Sequence, residues 1–194
     1  MDVLSLFQQL QDPKVLDRLS NQSKASPDAV KKVVEFGLPT LLQAMEKNAA
    51  NPKGAQSLAK ALDDHKDDPI DDIMGFLKNV DTQDGNKILQ HVLGSRSKVV
   101  ESKIASSAGI KTDQVDGIMS QLAPMLLGAL GKQKQSQQVD ASGLTSMLPM
   151  VTALLNKSSS NDLMKMATQF LDADKDGDIM DDVSKMVGKL FKKK

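Results

Sequence analysis

The chain has 194 residues, of which 40% are hydrophobic, and its 25 basic residues balance 25 acidic ones. This length suffices to bury a core without staples, and the zero net charge excludes a global positive field for nucleic acid. Cysteine is absent, which excludes disulfides and thiolate chemistry. No apolar run approaches the roughly 20 residues that span a bilayer, and the first residues show no secretory signal. We therefore expect a cytoplasmic protein.

Apolar residues recur at steps of three and four along the chain, which predicts helices almost throughout. Asp12-Pro13 and Ser26-Pro27 are helix start signals, and the helix that follows Ser26 is expected to run to about Lys47. Pro39 lies inside that helix, where its ring and its missing N–H predict a kink or a break. Asn51–Gly54 is predicted to form a turn.

The acidic run 63–68 contains His65, one of two histidines in the chain. Because no cysteine accompanies it and Lys66 is adjacent, the run is interpreted as a solvated loop and not as a metal site. A helix is predicted to start at Pro69, and Asp84-Gly85 is predicted to break it as a turn.

A stretch near the start of the chain reappears 85 positions later without a gap, with a proline in the same place. Val30, Val33, Val34, Leu38, Pro39, Leu41, Leu42, Ala44 and Met45 align with Val115, Ile118, Met119, Ala123, Pro124, Leu126, Leu127, Ala129 and Leu130. This repetition predicts an all-α protein of two tandem related helical bundles, residues 1–95 and 96–194. Each bundle is expected to contain a kinked helix with an internal proline.

In the second copy, Gly109 is predicted to end one helix and Thr112 to cap the next. The polar tract 132–138 is interpreted as a flexible connection, and Pro149 as an interruption of the following amphipathic stretch. Methionines recur at helical spacing, and they either fill the core or form an adaptable surface for a partner protein. These methionines are Met119, Met125, Met147, Met150, Met164 and Met166.

The segment from Asp172 to Ile179 reads D-x-D-x-D-G-x-I, which resembles the start of an EF-hand calcium loop. The candidate metal ligands are Asp172, Asp174, Asp176, Asp178, Asp181 and Asp182. Val183 occupies the twelfth position, where such a loop normally has a bidentate glutamate, so we expect a Kd on the order of 10⁻⁴ M or weaker. Alternatively, these aspartates only form a solvated turn and cap the final helix.

The C-terminus places Met186, Val187, Leu190 and Phe191 on one helical face, with lysines around it. A basic amphipathic helix of this kind lies on an anionic membrane or binds a partner groove. Alternatively, it is a final core helix with a frayed lysine tail. No nucleophile motif and no phosphate-binding glycine array is present, so we predict no enzymatic activity. The leading hypothesis is a protein-interaction module with a calcium loop, and the alternative is a peripheral membrane or envelope-associated protein.

Several segments resemble a bacterial domain-of-unknown-function family related to the YidB-like group. These segments are Gly85, 88–94, Val100-Glu101 and 122–131, together with 38–42 in the first copy. The resemblance implies an all-helical fold of small, homeodomain-like bundles. It implies no activity and no functional residue, and a homeodomain-like shape alone does not imply DNA binding.

Overall fold

The computed structural model describes residues 1–158 and 161–172. These residues form α helices and no β strand, which confirms the all-α prediction. In chain order the α helices are α1 (Val3–Gln9), α2 (Pro13–Ser23), α3 (Pro27–Ala49), α4 (Pro52–His65), α5 (Ile73–Asn79), α6 (Thr82–Leu93), α7 (Ser97–Ala108), α8 (Thr112–Ser136), α9 (Leu144–Ser158) and α10 (Asn161–Leu171).

The predicted start signals act as helix caps. The Asp12 carboxylate accepts a hydrogen bond from the Lys14 N–H at 2.8 Å, and the Ser26 hydroxyl accepts one from the Ala29 N–H at 3.3 Å. Each cap is followed by a proline in the first turn, where a missing N–H costs nothing. Gly109 has a left-handed φ of 73° and ends α7, as predicted.

Three predicted boundaries are wrong because the Asn or Asp residue that caps the helix was not recognised as its cap. Asn51 caps α4, so Pro52 and Gly54 belong to the first turn of that helix. The helix predicted at Pro69 begins instead at Ile73, with Asp72 as its cap. Asp84-Gly85 lies inside α6, which is capped by Asp81. In all three places an Asn or Asp side chain bonds the backbone ahead of it, which starts a helix rather than ending one.

The internal prolines do not break their helices. α3 continues through Pro39, α8 through Pro124 and α9 through Pro149. The polar tract predicted as a connection extends α8 as far as Ser136. Burial explains this continuity, because α8 is buried from Ile118 to Gly131 and tertiary packing outweighs the cost of one lost hydrogen bond.

α3 and α8 form the centre of the fold. α3 packs against α2, α4 and α6 to α10, and α8 packs against α1, α2, α4, α6 and α7 as well as α3. One hydrophobic core contains residues from Val3 to Leu171 and so draws on both predicted copies. The boundary at residue 95 and the duplication itself remain predictions.

Candidate functional site

The predicted Asp-rich loop follows directly after α10. Asp172 lies within the described residues, and its main-chain oxygen accepts a hydrogen bond from the Lys103 ammonium at 2.8 Å. The other proposed ligands, Asp174, Asp176, Asp178, Asp181 and Asp182, lie outside the described residues. The basic amphipathic C-terminus also lies outside them, so its proposed membrane contact stays a prediction. Comparing liposome co-sedimentation with and without Lys192–Lys194 would test that contact.

His65 lies at the end of α4 and not in a solvated loop, so that interpretation is wrong. Its side chain is 17% exposed, with Nδ1 2.8 Å from the Asp68 carboxylate and Nε2 3.6 Å from that of Asp84. Within residues 1–158 and 161–172, no group of three or more His, Cys, Asp or Glu side chains is placed to hold a metal ion. His65 therefore serves to join the end of α4 to α6.

The outer face of α9 exposes large apolar side chains. Met150 is 59% exposed and Leu154 is 46% exposed, although α9 buries Met147, Leu148 and Val151 on its other side. Ala153 lies between the exposed pair and is also exposed. Residues three and four apart share a helical face, so Met150, Ala153 and Leu154 form one apolar strip, here called the α9 surface. A clustered strip of this kind marks a binding surface more often than scattered apolar residues do.

A cavity of about 480 Å³ adjoins the α9 surface and lies between α1, the end of α8 and α9. Leu4 and Val3 of α1 form part of its apolar lining, and Leu154 is shared with the α9 surface. Gln133 and Gln137 of α8 contribute polar lining. The side-chain oxygen of Gln133 is buried and has no hydrogen-bond partner. The cavity therefore offers an apolar wall and a polar wall.

A second cavity, of about 300 Å³, lies where α2, α5, α6 and α8 meet and is called the polar pocket. Gln121 lines it and is only 4% exposed. Its amide nitrogen donates to the Gly117 carbonyl at 2.9 Å, which fixes the orientation of the amide and leaves Oε1 without a partner. A buried acceptor without a partner costs about 1–3 kcal/mol. Asn86 also lines the pocket, and its Oδ1 has no partner either.

Asp116 adds a carboxylate to the polar pocket. Burial raises its pKa above the ordinary aspartate value, and the charge of Asp113 raises it further. Within the described part of the chain, no cationic nitrogen forms a salt bridge with Asp116. The pocket is thus lined by a carboxylate and by two residues, Asn86 and Gln121, whose buried amide oxygens have no hydrogen-bond partner.

Sequence reasoning missed the polar pocket because its residues come from separate helices. The sequence feature that could have pointed to this pocket is Ser120-Gln121, a polar pair directly before the apolar run of α8. The α9 surface was anticipated in part, since Met150 belongs to the methionines proposed either to fill the core or to bind a partner. Met147 is buried and fills the core, whereas Met150 is exposed and belongs to the surface proposed for a partner.

Comparison with known proteins gives one family. The model of the family described as "Bacterial protein of unknown function (DUF937)" matches residues 5–133. This range covers α1 to α7 nearly completely and most of α8, and it includes every residue of the polar pocket. α9 and α10 lie after it. No curated protein and no solved structure matches the chain.

Proposed function

We propose that this chain, which belongs to the DUF937 family of bacterial proteins of unknown function, is a non-enzymatic helical module that binds another protein through the α9 surface. The predicted family is confirmed by that match, while the YidB-like subgroup and the cytoplasmic location stay predictions. Among the described residues, no helix is both long and apolar enough to cross a bilayer.

The observation that carries the proposal is the exposure of Met150 and Leu154 beside a cavity with an apolar wall. Covering two large apolar side chains with a partner removes their area from water, at roughly 25 cal/mol per Å². Methionine adapts its shape to a partner because its side chain is unbranched and flexible.

An amphipathic helix is the partner that this surface fits best. Its apolar residues would contact the α9 surface and enter the cavity at Leu4, as in other helix-in-groove complexes. Its polar side would face Gln133 and Gln137. α9 itself is held in place, because the Thr152 hydroxyl donates to the Glu46 carboxylate at 3.1 Å.

Site-specific photocrosslinking of the full chain in bacterial cells tests the proposal. A photoreactive residue at Met150 should give a discrete adduct with a different protein, and Leu154→Glu should abolish that adduct. Met74 and Val99 are suitable control positions, because they are apolar and exposed to 43% and 42% on other helices. Equal adducts at all three positions, or an adduct that contains only two copies of this chain, would contradict the proposal.

The Asp-rich loop supports a second candidate function, weak calcium binding. α10 ends at Leu171, immediately before Asp172, so a helix leads into the predicted loop as an EF-hand requires. The Lys103 ammonium at Asp172 opposes a divalent cation there, which agrees with the weak affinity expected from the missing twelfth ligand. Calcium titration followed by NMR should shift the amides of residues 172–182 at millimolar concentration. Unchanged resonances in that loop would remove calcium from the proposal.

A further inference from the structure

The oxidisable sulfur of this protein belongs to methionine, since the chain has 11 methionines and no cysteine. A peroxide converts a methionine thioether to a sulfoxide, and it does so fastest where solvent reaches the sulfur. Met150 is 59% exposed, whereas Met147, one turn earlier on the same helix, is 4% exposed. Among the methionines whose burial the structure describes, only Met74 is also exposed, at 43%. Met150 is therefore the described methionine that a dissolved oxidant reaches most readily.

The position of Met150 means that its oxidation acts on binding and not on the fold. In the free protein the polar sulfoxide oxygen stays in water, because the side chain points outward, so the core loses nothing. Under an apolar partner the same oxygen loses its water, and its neighbours on the α9 surface, Ala153 and Leu154, have no side-chain donor for it. A buried polar group without a hydrogen bond is costly, so the oxidised surface disfavours the complex.

We infer that Met150 is a reversible oxidation switch, which hydrogen peroxide sets to the sulfoxide and which thereby releases the partner from the α9 surface. The sulfur lone pair attacks one peroxide oxygen, so that an S–O bond forms while the O–O bond breaks. The departing hydroxide takes the proton of the transferred oxygen and leaves as water; sulfur is oxidised and the peroxide is reduced. Methionine sulfoxide reductase reverses the step, with a dithiol oxidised to its disulfide and the oxygen released as water. The inference rests on the proposed function, because it acts through the α9 surface.

Peptide mass spectrometry of the purified full chain after timed exposure to hydrogen peroxide tests the chemistry. Met147 and Met150 lie in one tryptic peptide, residues 135–157, so fragmentation compares the two sulfurs directly. Met150 should form its sulfoxide at least about tenfold faster than Met147, which reacts only when the helix opens. The oxidised chain should unfold at the same temperature as an identically treated Met150→Leu variant. Equal oxidation rates, or a lower unfolding temperature in the wild type alone, would overturn the inference.

Photocrosslinking from Ala153, which leaves Met150 in place, tests the effect on binding. The full chain is oxidised, freed of peroxide and added to bacterial extract; its adduct should fall by about tenfold or more and return after treatment with methionine sulfoxide reductase and dithiothreitol.

Two variants assign the loss of the adduct to one sulfur. Met150→Leu stays apolar but cannot be oxidised, so peroxide should leave its adduct unchanged. Met74→Leu removes the other exposed thioether and should remain as sensitive as the wild type. An undiminished adduct from the oxidised wild type, or an equal loss in Met150→Leu, would overturn this inference alone. Absence of any adduct before oxidation would overturn the proposed function together with it.

Discussion

Gly85 and Gly117 show how the surroundings of a glycine decide whether a larger side chain would fit there. A Cβ on Gly85 would clash with the Ser120 carbonyl oxygen, which is backbone and cannot move aside easily. Pro124 stands four residues after Ser120 and has no N–H to bond that oxygen, so the oxygen is left to face α6. A Cβ on Gly117 would meet no atom within 4 Å.

The same substitution should therefore have opposite effects at these two glycines. Gly85→Ala should lower the free energy of unfolding by about 1–3 kcal/mol, because α6 and α8 must separate to admit the methyl group. Gly117→Ala should raise it by about 0.5–1 kcal/mol, because alanine favours the helix and meets no obstacle. Urea unfolding midpoints measure both changes. A neutral Gly85→Ala variant would contradict the close contact between α6 and the Ser120 carbonyl.

Glu101 is a second residue whose environment matters, since it is 6% exposed on α7. Burial raises its pKa, although the Ser97 hydroxyl donates to its carboxylate at 2.6 Å and opposes that shift. A carboxyl group whose pKa is raised by folding favours the folded state at low pH. That contribution is lost as the pH rises through the folded-state pKa.

Glu101→Gln should therefore raise the unfolding temperature at neutral pH, because burial penalises a charged carboxylate and not a neutral amide. The advantage should shrink below the ordinary glutamate pKa of 4.5, where the wild-type side chain is also neutral. Thermal unfolding of both proteins at several pH values measures this difference. A variant that is less stable than the wild type at neutral pH would contradict the prediction.

At the scale of elements, long polar side chains from other helices bond the carbonyls at helix C-termini. Gln22 of α2 donates to the Leu77 carbonyl of α5 at 3.0 Å, and Asn48 of α3 donates to the Val92 carbonyl of α6 at 3.1 Å. Gln114 of α8 donates to the Lys24 carbonyl after α2 at 2.6 Å. The last carbonyls of a helix lack partners within it, so these bonds fix both the helix end and its position.

Lys103 gives the strongest test of this arrangement. Its ammonium donates to the Gln169 and Asp172 carbonyls at 2.6 and 2.8 Å, at the end of α10. Lys103→Met keeps the aliphatic stem but removes the charge and the donors, so it should cost about 1 kcal/mol or more. Amide hydrogen exchange should rise over residues 165–172. Lys60→Met, on the exposed side of α4, is the control and should leave that exchange unchanged.

α10 also packs on α3 through an aromatic contact. The rings of Phe36 and Phe170 meet edge to face with centroids 5.8 Å apart. This contact does not depend on Lys103, so α10 should stay helical in the Lys103→Met variant. Complete loss of helical signal from α10 would show that the lysine holds the helix together as well as anchoring its end.

At the scale of the whole molecule, α8 belongs to one predicted copy but packs mainly on helices of the other. It contacts α1, α2, α3, α4 and α6, all of which precede residue 95. A unit made of residues 1–95 would lose this packing and would expose apolar residues of α3 such as Leu41 and Leu42, which are fully buried in the chain.

The chain should accordingly unfold in a single cooperative transition. Removing α8 or α3 from the core would expose the apolar residues of every helix that packs on it, so partial unfolding is costly. Coincident urea transitions followed by far-ultraviolet circular dichroism and by hydrogen exchange in α3 and α8 would support this expectation. Two separate transitions, divided near residue 95, would instead indicate two independent bundles.

The sequence by itself determined the helical class and the places where several helices begin, because periodicity and capping act over three or four neighbouring residues. It also pointed to Met150 as a residue for either the core or a partner. It failed at Asn51 and Asp81, where a turn and a helix cap have the same local composition, and at Asp72, where Pro69 was taken as the helix start. Only tertiary structure decided that Pro124 stays inside a helix, that Met150 faces outward and that Gln121 lines one pocket together with Asn86 and Asp116. Those outcomes depend on burial between residues far apart in the chain, and no local pattern encodes which surfaces will meet.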